Sequence, residues 1–153
     1  MQIPVTDEPF RPSMFQACLL HSRADRVLRT VIGNLLARFR LTMMEWLLLG
    51  AVNEGPKEGI TLSAIAKVLD VSQPQVTALM DKVSTQKLVK QKVLREDRRS
   101  RSVVLTIRGR RLVEDIEEAM SDYLKTWAEH VPPEQLEAYL RTVRTIADHQ
   151  LTD

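Results

Sequence analysis

The feature that most constrains this chain is the run of residues 61–106, in which two short helical patterns precede two strand-like ones. Apolar residues recur at helical spacing over residues 62–69 and again over 76–83, with a short turn between them. Residues 88–94 and 101–106 then alternate loosely between apolar and polar, and they flank a loop without glycine. This order predicts a winged helix-turn-helix, a unit that holds its second helix in a DNA major groove and a hairpin beside it.

The second helix of the pair begins at a strong N-terminal signal. Ser72 is a favoured cap residue, Pro74 suits the first turn because its missing N–H costs nothing there, and Gln75 can bond back to the cap. The free N–H groups of this end can also hold a phosphate, so we assign Ser72 to the DNA backbone. Four apolar residues recur at i, i+3, i+4 and i+7 and must face inward: Val76, Leu79, Met80 and Val83.

The opposite face of that helix carries mostly small or amide-bearing side chains. Glutamine can bond adenine through both amide atoms, and threonine or alanine can contact a thymine methyl group. We therefore predict that bases are read by Gln73, Pro74, Gln75, Thr77 and Ala78, with apolar contact alone from the proline. Gln75 cannot easily cap the helix and read a base at once. The alternative for each residue is ordinary helix surface.

The formal net charge of +2 conceals two opposed segments. Residues 87–111 hold ten lysines and arginines against two acids, whereas residues 112–153 hold ten acids against three basic residues. A basic run is usually a solvated face, but this one coincides with the predicted hairpin beside the helix-turn-helix. It therefore indicates a surface directed at a polyanion.

We predict one folded unit over residues 1–153, mainly α with a small β-hairpin wing. The winged helix-turn-helix lobe spans 42–106, and helices within 13–40 and 107–150 carry more apolar surface than a small core can cover. These N- and C-terminal helices are expected to pair across a two-fold axis as dimerisation helices, which predicts a homodimer.

Threonines mark the starts of three further helices. Thr42 with Glu45 forms a capping-box pattern, and Thr61 and Thr106 stand where N-caps are expected. Trp46, just inside the first of these helices, either lines a ligand pocket or belongs to the core.

The composition argues against several other classes of protein. Cys18 is the single cysteine, and the three histidines are scattered, so neither a disulfide framework nor a metal site is expected. No nucleophile–base pair, carboxylate pair or phosphate loop can be assembled, which argues against an enzyme and predicts no cofactor. No segment looks membrane-spanning or like a signal peptide, so a cytoplasmic protein without a membrane partner is expected.

The wing carries a more specific pattern, Asp97-Arg98-Arg99 followed by Val104-Leu105-Thr106 and Gly109. Together with Leu62 to Leu69, Val76-Thr77 and Leu88-Val89, it makes nearly the whole chain resemble the MarR family of winged helix-turn-helix transcriptional regulators. The resemblance implies a homodimer on a pseudo-palindromic double-stranded operator, usually a repressor. Release would be triggered by a small anionic or aromatic ligand or by cysteine oxidation.

The resemblance also implies residue roles. Arg98 would enter the minor groove from the wing tip, and Asp97 would brace the wing. The phosphate backbone would be contacted by Lys82, Arg95, Arg99 and Arg101. Cys18 lies about where some relatives sense peroxide. Those relatives have tyrosines close to the thiol, whereas the tyrosines of this chain, Tyr123 and Tyr139, both come late in the sequence; the alternative is that Cys18 is a small buried hydrophobe.

The sequence departs from the family pattern at three positions. Asp70 and Lys87 stand where glycine is frequent, and a lysine in the left-handed conformation costs roughly 1 kcal/mol, so we expect the wing to leave the helix at a changed angle. Ala78 replaces a larger polar residue, which favours readout of DNA shape over direct base contacts. The competing functional interpretation is a winged-helix module for protein interaction or for nucleic-acid binding without sequence choice.

Overall fold

A computed structural model describes residue 11 and residues 13–93, 101–128 and 131–149. These residues form helices around a small sheet, in the chain order α1 Met14–Ala37, α2 Met43–Glu54, β1 Ile60–Thr61, α3 Leu62–Leu69, α4 Gln73–Thr85, β2 Val89–Val93, β3 Arg101–Leu105, α5 Ile107–Ala128 and α6 Pro133–Asp148. No helix in these ranges is long and apolar enough to cross a bilayer. The predicted class, mainly α with a small wing, is confirmed.

The helices begin at the capping residues that the sequence predicts. Thr42 Oγ1 accepts from the backbone N–H of Glu45 at 3.3 Å, and a Glu45 carboxylate oxygen accepts from the N–H of Thr42 at 2.7 Å. Thr61 Oγ1 likewise accepts from the N–H of Ala64 at 3.2 Å. Because each cap satisfies N–H groups that the first turn leaves free, local sequence is enough to set these boundaries.

The sheet has three antiparallel strands in the order β1-β3-β2. The two longer strands are the predicted hairpin, but β1 was missed because two residues are too short to show alternation. β1 pairs Ile60 with Val103, and the buried Ser102 hydroxyl donates to the Glu58 carbonyl at 3.0 Å. Gly59, which has a φ of 109°, makes this approach possible, since a Cβ would lie 2.7 Å from the Ser102 hydroxyl.

The core lies inside the winged-helix lobe and takes in the first half of α5. Its fully buried side chains come from α1, α2, α3, α4, the connection between α4 and β2, the sheet and α5, and include Leu36, Leu48, Leu49, Ile65, Val76, Val83, Leu88, Val103 and Ile116. Trp46 is half-buried and packs against this cluster, which favours the core interpretation of that residue. The lobe is therefore anchored to both terminal helices through α1 and α5.

Three of the described non-glycine residues have the left-handed backbone that glycine would favour, Arg40 among them, and the other two are the positions where the family pattern often has glycine. Asp70, the C-cap of α3, has a φ of 52°, and Lys87, after the C-cap of α4, has a φ of 59°. Lys87 thus keeps the left-handed conformation, and the changed wing angle stays a prediction. The left-handed conformation of this lysine costs roughly 1 kcal/mol of conformational free energy.

The ends of the chain present apolar surface that the described residues do not cover. α6 has no buried residue. Large exposed hydrophobic side chains lie on α1, on the second half of α5 and on α6: Met14, Phe15, Leu19, Leu20, Val27, Leu124, Leu136, Tyr139, Leu140 and Ile146. Near the same end of α5, Lys125 Nζ donates a hydrogen bond of 2.8 Å to Asp122 Oδ1, and this bond raises the pKa of Lys125.

Candidate nucleic-acid interface

The recognition helix, α4, is held by its apolar stripe. Val76, Met80 and Val83 are buried and Leu79 is half-buried, as the spacing predicts. The turn before it is tight, because the N–H of Val71 donates to the Ala66 carbonyl at 3.0 Å. The outward side chains are all exposed: Gln73, Pro74, Gln75, Thr77, Ala78, Asp81, Lys82 and Thr85. All five predicted base readers are therefore accessible on the N-terminal end and outer side of the helix, with the exposed Ser72 at its start.

The two glutamines of this face are in different hydrogen-bonding states. The side-chain oxygen of Gln75 accepts from both the N–H and the hydroxyl of Ser72, each at 2.9 Å. Gln73 makes no side-chain hydrogen bond to the described residues, so both of its amide atoms are available. A bidentate contact with adenine needs one acceptor and one donor, and Gln73 alone of the two offers both without breaking the cap.

Thr77 has its hydroxyl partly occupied. The Oγ1 of Thr77 donates to the Gln73 carbonyl at 3.1 Å, one turn back along the helix. Its exposed methyl group, like that of Ala78, suits contact with a thymine methyl. Pro74 adds apolar surface in the first turn, where the sequence places it.

Lys82 is the sole lysine or arginine of α4, and its ammonium is already in an ion pair. Its Nζ lies 3.8 Å from Oε1 of Glu45, whose side chain is 6% exposed, whereas that of Lys82 is 62% exposed. Sequence reasoning assigned Lys82 to phosphate and Glu45 to a cap, and it missed the contact between them. The available signal was a lone acid inside the apolar start of α2, MMEWLLLG.

The root of the wing is basic and exposed. Lys90 and Lys92 project from β2 into solvent, and the Arg101 guanidinium donates to the Gln91 side chain at 3.4 Å, opposite it in the hairpin. The predicted residues of the wing tip, Arg95, Asp97, Arg98 and Arg99, lie outside the described residues. The described part of the wing therefore contributes Arg101 and the two lysines to a basic edge.

A compact joint links the recognition helix, the wing and α5. Thr106 donates from its N–H to the Leu88 carbonyl at 2.9 Å and from its hydroxyl to the Lys87 carbonyl at 2.7 Å. The same hydroxyl accepts from the N–H of Gly109 at 3.0 Å, which confirms Thr106 as an N-cap. A Cβ at Gly109 would lie 2.0 Å from the Leu88 carbonyl oxygen, so this position has room only for glycine.

Cys18 is exposed in the single chain, so the expectation that it is a buried small hydrophobe is wrong for this state. Its exposure alone does not assign it a sensing role. Among the residues that the structure describes, no group of three or more His, Cys, Asp or Glu side chains could hold a metal ion.

The fold and this face define a winged helix-turn-helix protein with long terminal helices. Residues 41–100 match the MarR family. Among solved structures, the S. aureus MepR–DNA complex is 21% identical, with a TM-score of 0.75 over 89% of this chain and 97% of that one. CouR from Rhodococcus jostii RHA1, solved with p-coumaroyl-CoA, is 22% identical, with a TM-score of 0.77 over 88% and 93%.

A third similar structure concerns regulation of DNA binding of Bordetella bronchiseptica BpsR by 6-hydroxynicotinic acid. It is 22% identical, with a TM-score of 0.75 over 94% of this chain and 100% of that one. The winged-helix lobe thus matches the MarR family over residues 41–100, and the chain as a whole has the same fold as these three structures. This family consists of transcription regulators, not enzymes.

Proposed function

We propose that this protein is a sequence-specific, double-stranded DNA-binding transcriptional regulator, a repressor that a small molecule releases. One observation carries the proposal: α4 is anchored by a buried apolar stripe and exposes an opposite face of amide, small and hydroxyl side chains. Such a face fits the major groove, where sequence is read by hydrogen bonds and methyl contacts. A regulator of this kind works on the chromosome, in the cytoplasm.

The roles of individual residues follow from their exposure and bonding. Gln73 is the main reader of adenine, Gln75 chiefly holds the helix start, and Pro74, Thr77 and Ala78 make apolar contacts. Ser72 and the helix N-terminus face one phosphate, while Arg101 faces another from the wing root. From the family resemblance, Arg95 and Arg99 are proposed phosphate contacts, Arg98 the minor-groove contact and Asp97 the residue that braces the wing.

A homodimer is part of the proposal. The apolar side chains of α1, α5 and α6 are exposed in the single chain, and a symmetric partner would cover them. Residues 13–40 and 107–150 are then the dimerisation helices, and 42–106 the DNA-binding lobe. Two recognition helices about one DNA turn apart, roughly 34 Å, would match a pseudo-palindromic operator.

A small-molecule ligand is part of the proposal. Structures of similar fold concern p-coumaroyl-CoA and 6-hydroxynicotinic acid, both anions with an aromatic group. In this chain, an open cavity of about 510 Å³ lies between the residues that follow α1 and α4 and the first half of α5. Its lining combines three arginines with one acid and several apolar side chains, and includes Arg40, Arg108, Arg111, Asp115, Phe39 and Leu112. Volume and lining suit a small anionic or aromatic ligand.

Competition binding tests the proposed function. Fluorescence anisotropy at moderate salt would compare the DNA upstream of the protein's own gene with random duplex of equal length. We expect the upstream DNA to bind at least about a thousandfold more tightly. Equal affinity for both would instead favour a module that binds nucleic acid without sequence choice or serves protein interaction.

The cavity makes a separate prediction. A panel of aromatic carboxylates should include one that releases operator DNA, and Arg111→Ala should raise the concentration needed by about tenfold or more, because one charge-assisted contact is lost. Lys57→Ala, an exposed lysine outside this cavity, is the matched control. If Arg111→Ala needs the same ligand concentration to release DNA, the ligand binds outside this cavity.

A further inference from the structure

The recognition helix has a charge arrangement that its role in DNA binding does not explain. Of its thirteen residues, Lys82 is the single cation, and Asp81 beside it is the single acid. Lys82 is exposed enough for a DNA phosphate to reach it, yet its ammonium lies 3.8 Å from Oε1 of Glu45. The one positive charge of α4 is therefore already held by a carboxylate of the same chain.

Glu45 cannot easily turn away from this contact. It is 4% exposed, and its second oxygen, Oε2, accepts from the N–H of Thr42 at 2.7 Å in the cap of α2. A buried carboxylate requires compensation, because desolvation of the charge is expensive. Among the described residues, Lys82 is the one basic side chain within 4 Å of it. If the Lys82 ammonium moved to a DNA phosphate, the Glu45 charge would be buried without its counter-ion.

We propose that Glu45 competes with the DNA phosphate backbone for Lys82 and so sets how much sequence-independent attraction the recognition helix contributes. The inference rests on the proposed function. The separation exceeds a hydrogen-bond length, so the pair is held by Coulomb attraction and Lys82 can exchange between the two anions. Because phosphate contacts act on every sequence alike, Glu45 lowers affinity for operator and random duplex together, while Gln73 affects their ratio.

Glu45→Gln is the direct test, because the amide oxygen can still accept from Thr42 while the charge is lost. We expect the variant to bind both duplexes more tightly, by about two- to fivefold per protomer. The plot of log affinity against log salt should steepen by up to about 0.9 per protomer, as one more phosphate is neutralised. Unchanged or weaker binding with an unchanged salt slope would overturn the proposal.

A double-mutant cycle separates competition from a general effect on folding. Lys82→Gln should reduce the salt slope by clearly less than about 0.9 per protomer in the parent protein, and by about 0.9 in the Glu45→Gln background. Lys90→Gln on β2 serves as the control, since the exposed Lys90 makes no ion pair with a described residue. Lys90→Gln should change the salt slope by the same amount in the parent protein and in the Glu45→Gln background. Equal effects of Lys82→Gln in both backgrounds would contradict the competition.

A measurement without DNA distinguishes failure of this inference from failure of the proposed function. Acetylation of Lys82 in the free protein, followed by mass spectrometry, should be several-fold faster in Glu45→Gln, with Lys90 unchanged as the internal reference. If duplex binding shows no sequence preference while this rate rises, the proposed function fails and the ion pair stands. If sequence preference is normal and neither the rate nor the salt slope changes, the role of Glu45 is refuted.

Discussion

At the scale of single residues, the two exposed glutamines in the first turn of α4 are in different hydrogen-bonding states. The amide oxygen of Gln75 accepts two hydrogen bonds from Ser72, whereas Gln73 has no side-chain partner among the described residues. Both were predicted as base readers because a glutamine amide can bond adenine and because both side chains were expected to be exposed. Their hydrogen bonds rank Gln73 first, since reading adenine with Gln75 would require the cap to open.

Substituting each glutamine by alanine should therefore give opposite signatures. Gln73→Ala should cost about 1–3 kcal/mol of discrimination between operator and a single-base variant, and leave thermal stability nearly unchanged. Gln75→Ala should lower stability by about 0.5–2 kcal/mol through the lost cap, with a smaller effect on discrimination. Thermal unfolding and anisotropy on the same samples measure both quantities. Equal loss of discrimination from the two variants would contradict this ranking.

At the scale of secondary-structure elements, the decisive feature is the joint of Thr106 and Gly109 against the connection after α4. Hydrogen bonds from Thr106 to the Lys87 and Leu88 carbonyls tie the start of α5 to the end of the recognition helix and the root of the wing. Because α5 continues toward the proposed dimer interface, this joint determines the orientation of the winged-helix lobe relative to that interface. A change in α5 would reach the recognition helix by this route.

Gly109→Ala should destabilise the protein by roughly 1–3 kcal/mol or more, because the new methyl meets the Leu88 carbonyl and backbone must shift. Gly50→Ala in α2 is the matched control, since nothing lies within 4 Å of its added Cβ. There the helix should gain about 0.5–1 kcal/mol. Urea unfolding monitored by circular dichroism compares the two. Similar free energies for both variants would show that the contact at Gly109 relaxes without cost.

At the scale of the whole molecule, α6 and the distal half of α5 determine the expected assembly. α6 contains no buried residue in the single chain, and its apolar face includes Leu136, Tyr139 and Leu140. A helix with this much exposed apolar surface gains most of its stability from packing. A second copy of the chain is the partner that the proposed function requires.

Leu140→Glu on this face should weaken dimerisation by about tenfold or more, because a carboxylate would be buried without a counter-charge. Thr142→Glu places the same charge on the other side of α6 and should leave the dimer intact. Sedimentation velocity over a concentration series measures both. A Leu140→Glu protein that remains dimeric at the same concentrations as Thr142→Glu would exclude this face from the interface.

Sequence alone was sufficient wherever a local rule decides the structure. Caps at Thr42, Thr61 and Thr106 bond within three residues of the chain, and the apolar spacing of α4 determines which side must be buried. Helix boundaries, the hairpin strands and the outward face could therefore be predicted, as could the resemblance that the wing motif carries. The same rules missed β1, whose two residues are recognisable only when paired with β3.

Tertiary structure alone decided what depends on residues distant in the chain. It brought Glu45 of α2 to Lys82 of α4, and Gly109 of α5 against the Leu88 carbonyl, at separations no sequence pattern reports. At Lys87 it adds to a local effect, since the N–H groups of Lys87 and Leu88 already close the left-handed turn onto the end of α4, and Thr106 donates a further bond to the Lys87 carbonyl. Local conformational preferences of roughly 1 kcal/mol are outweighed by such tertiary contacts. For that reason these contacts became visible only in the folded chain.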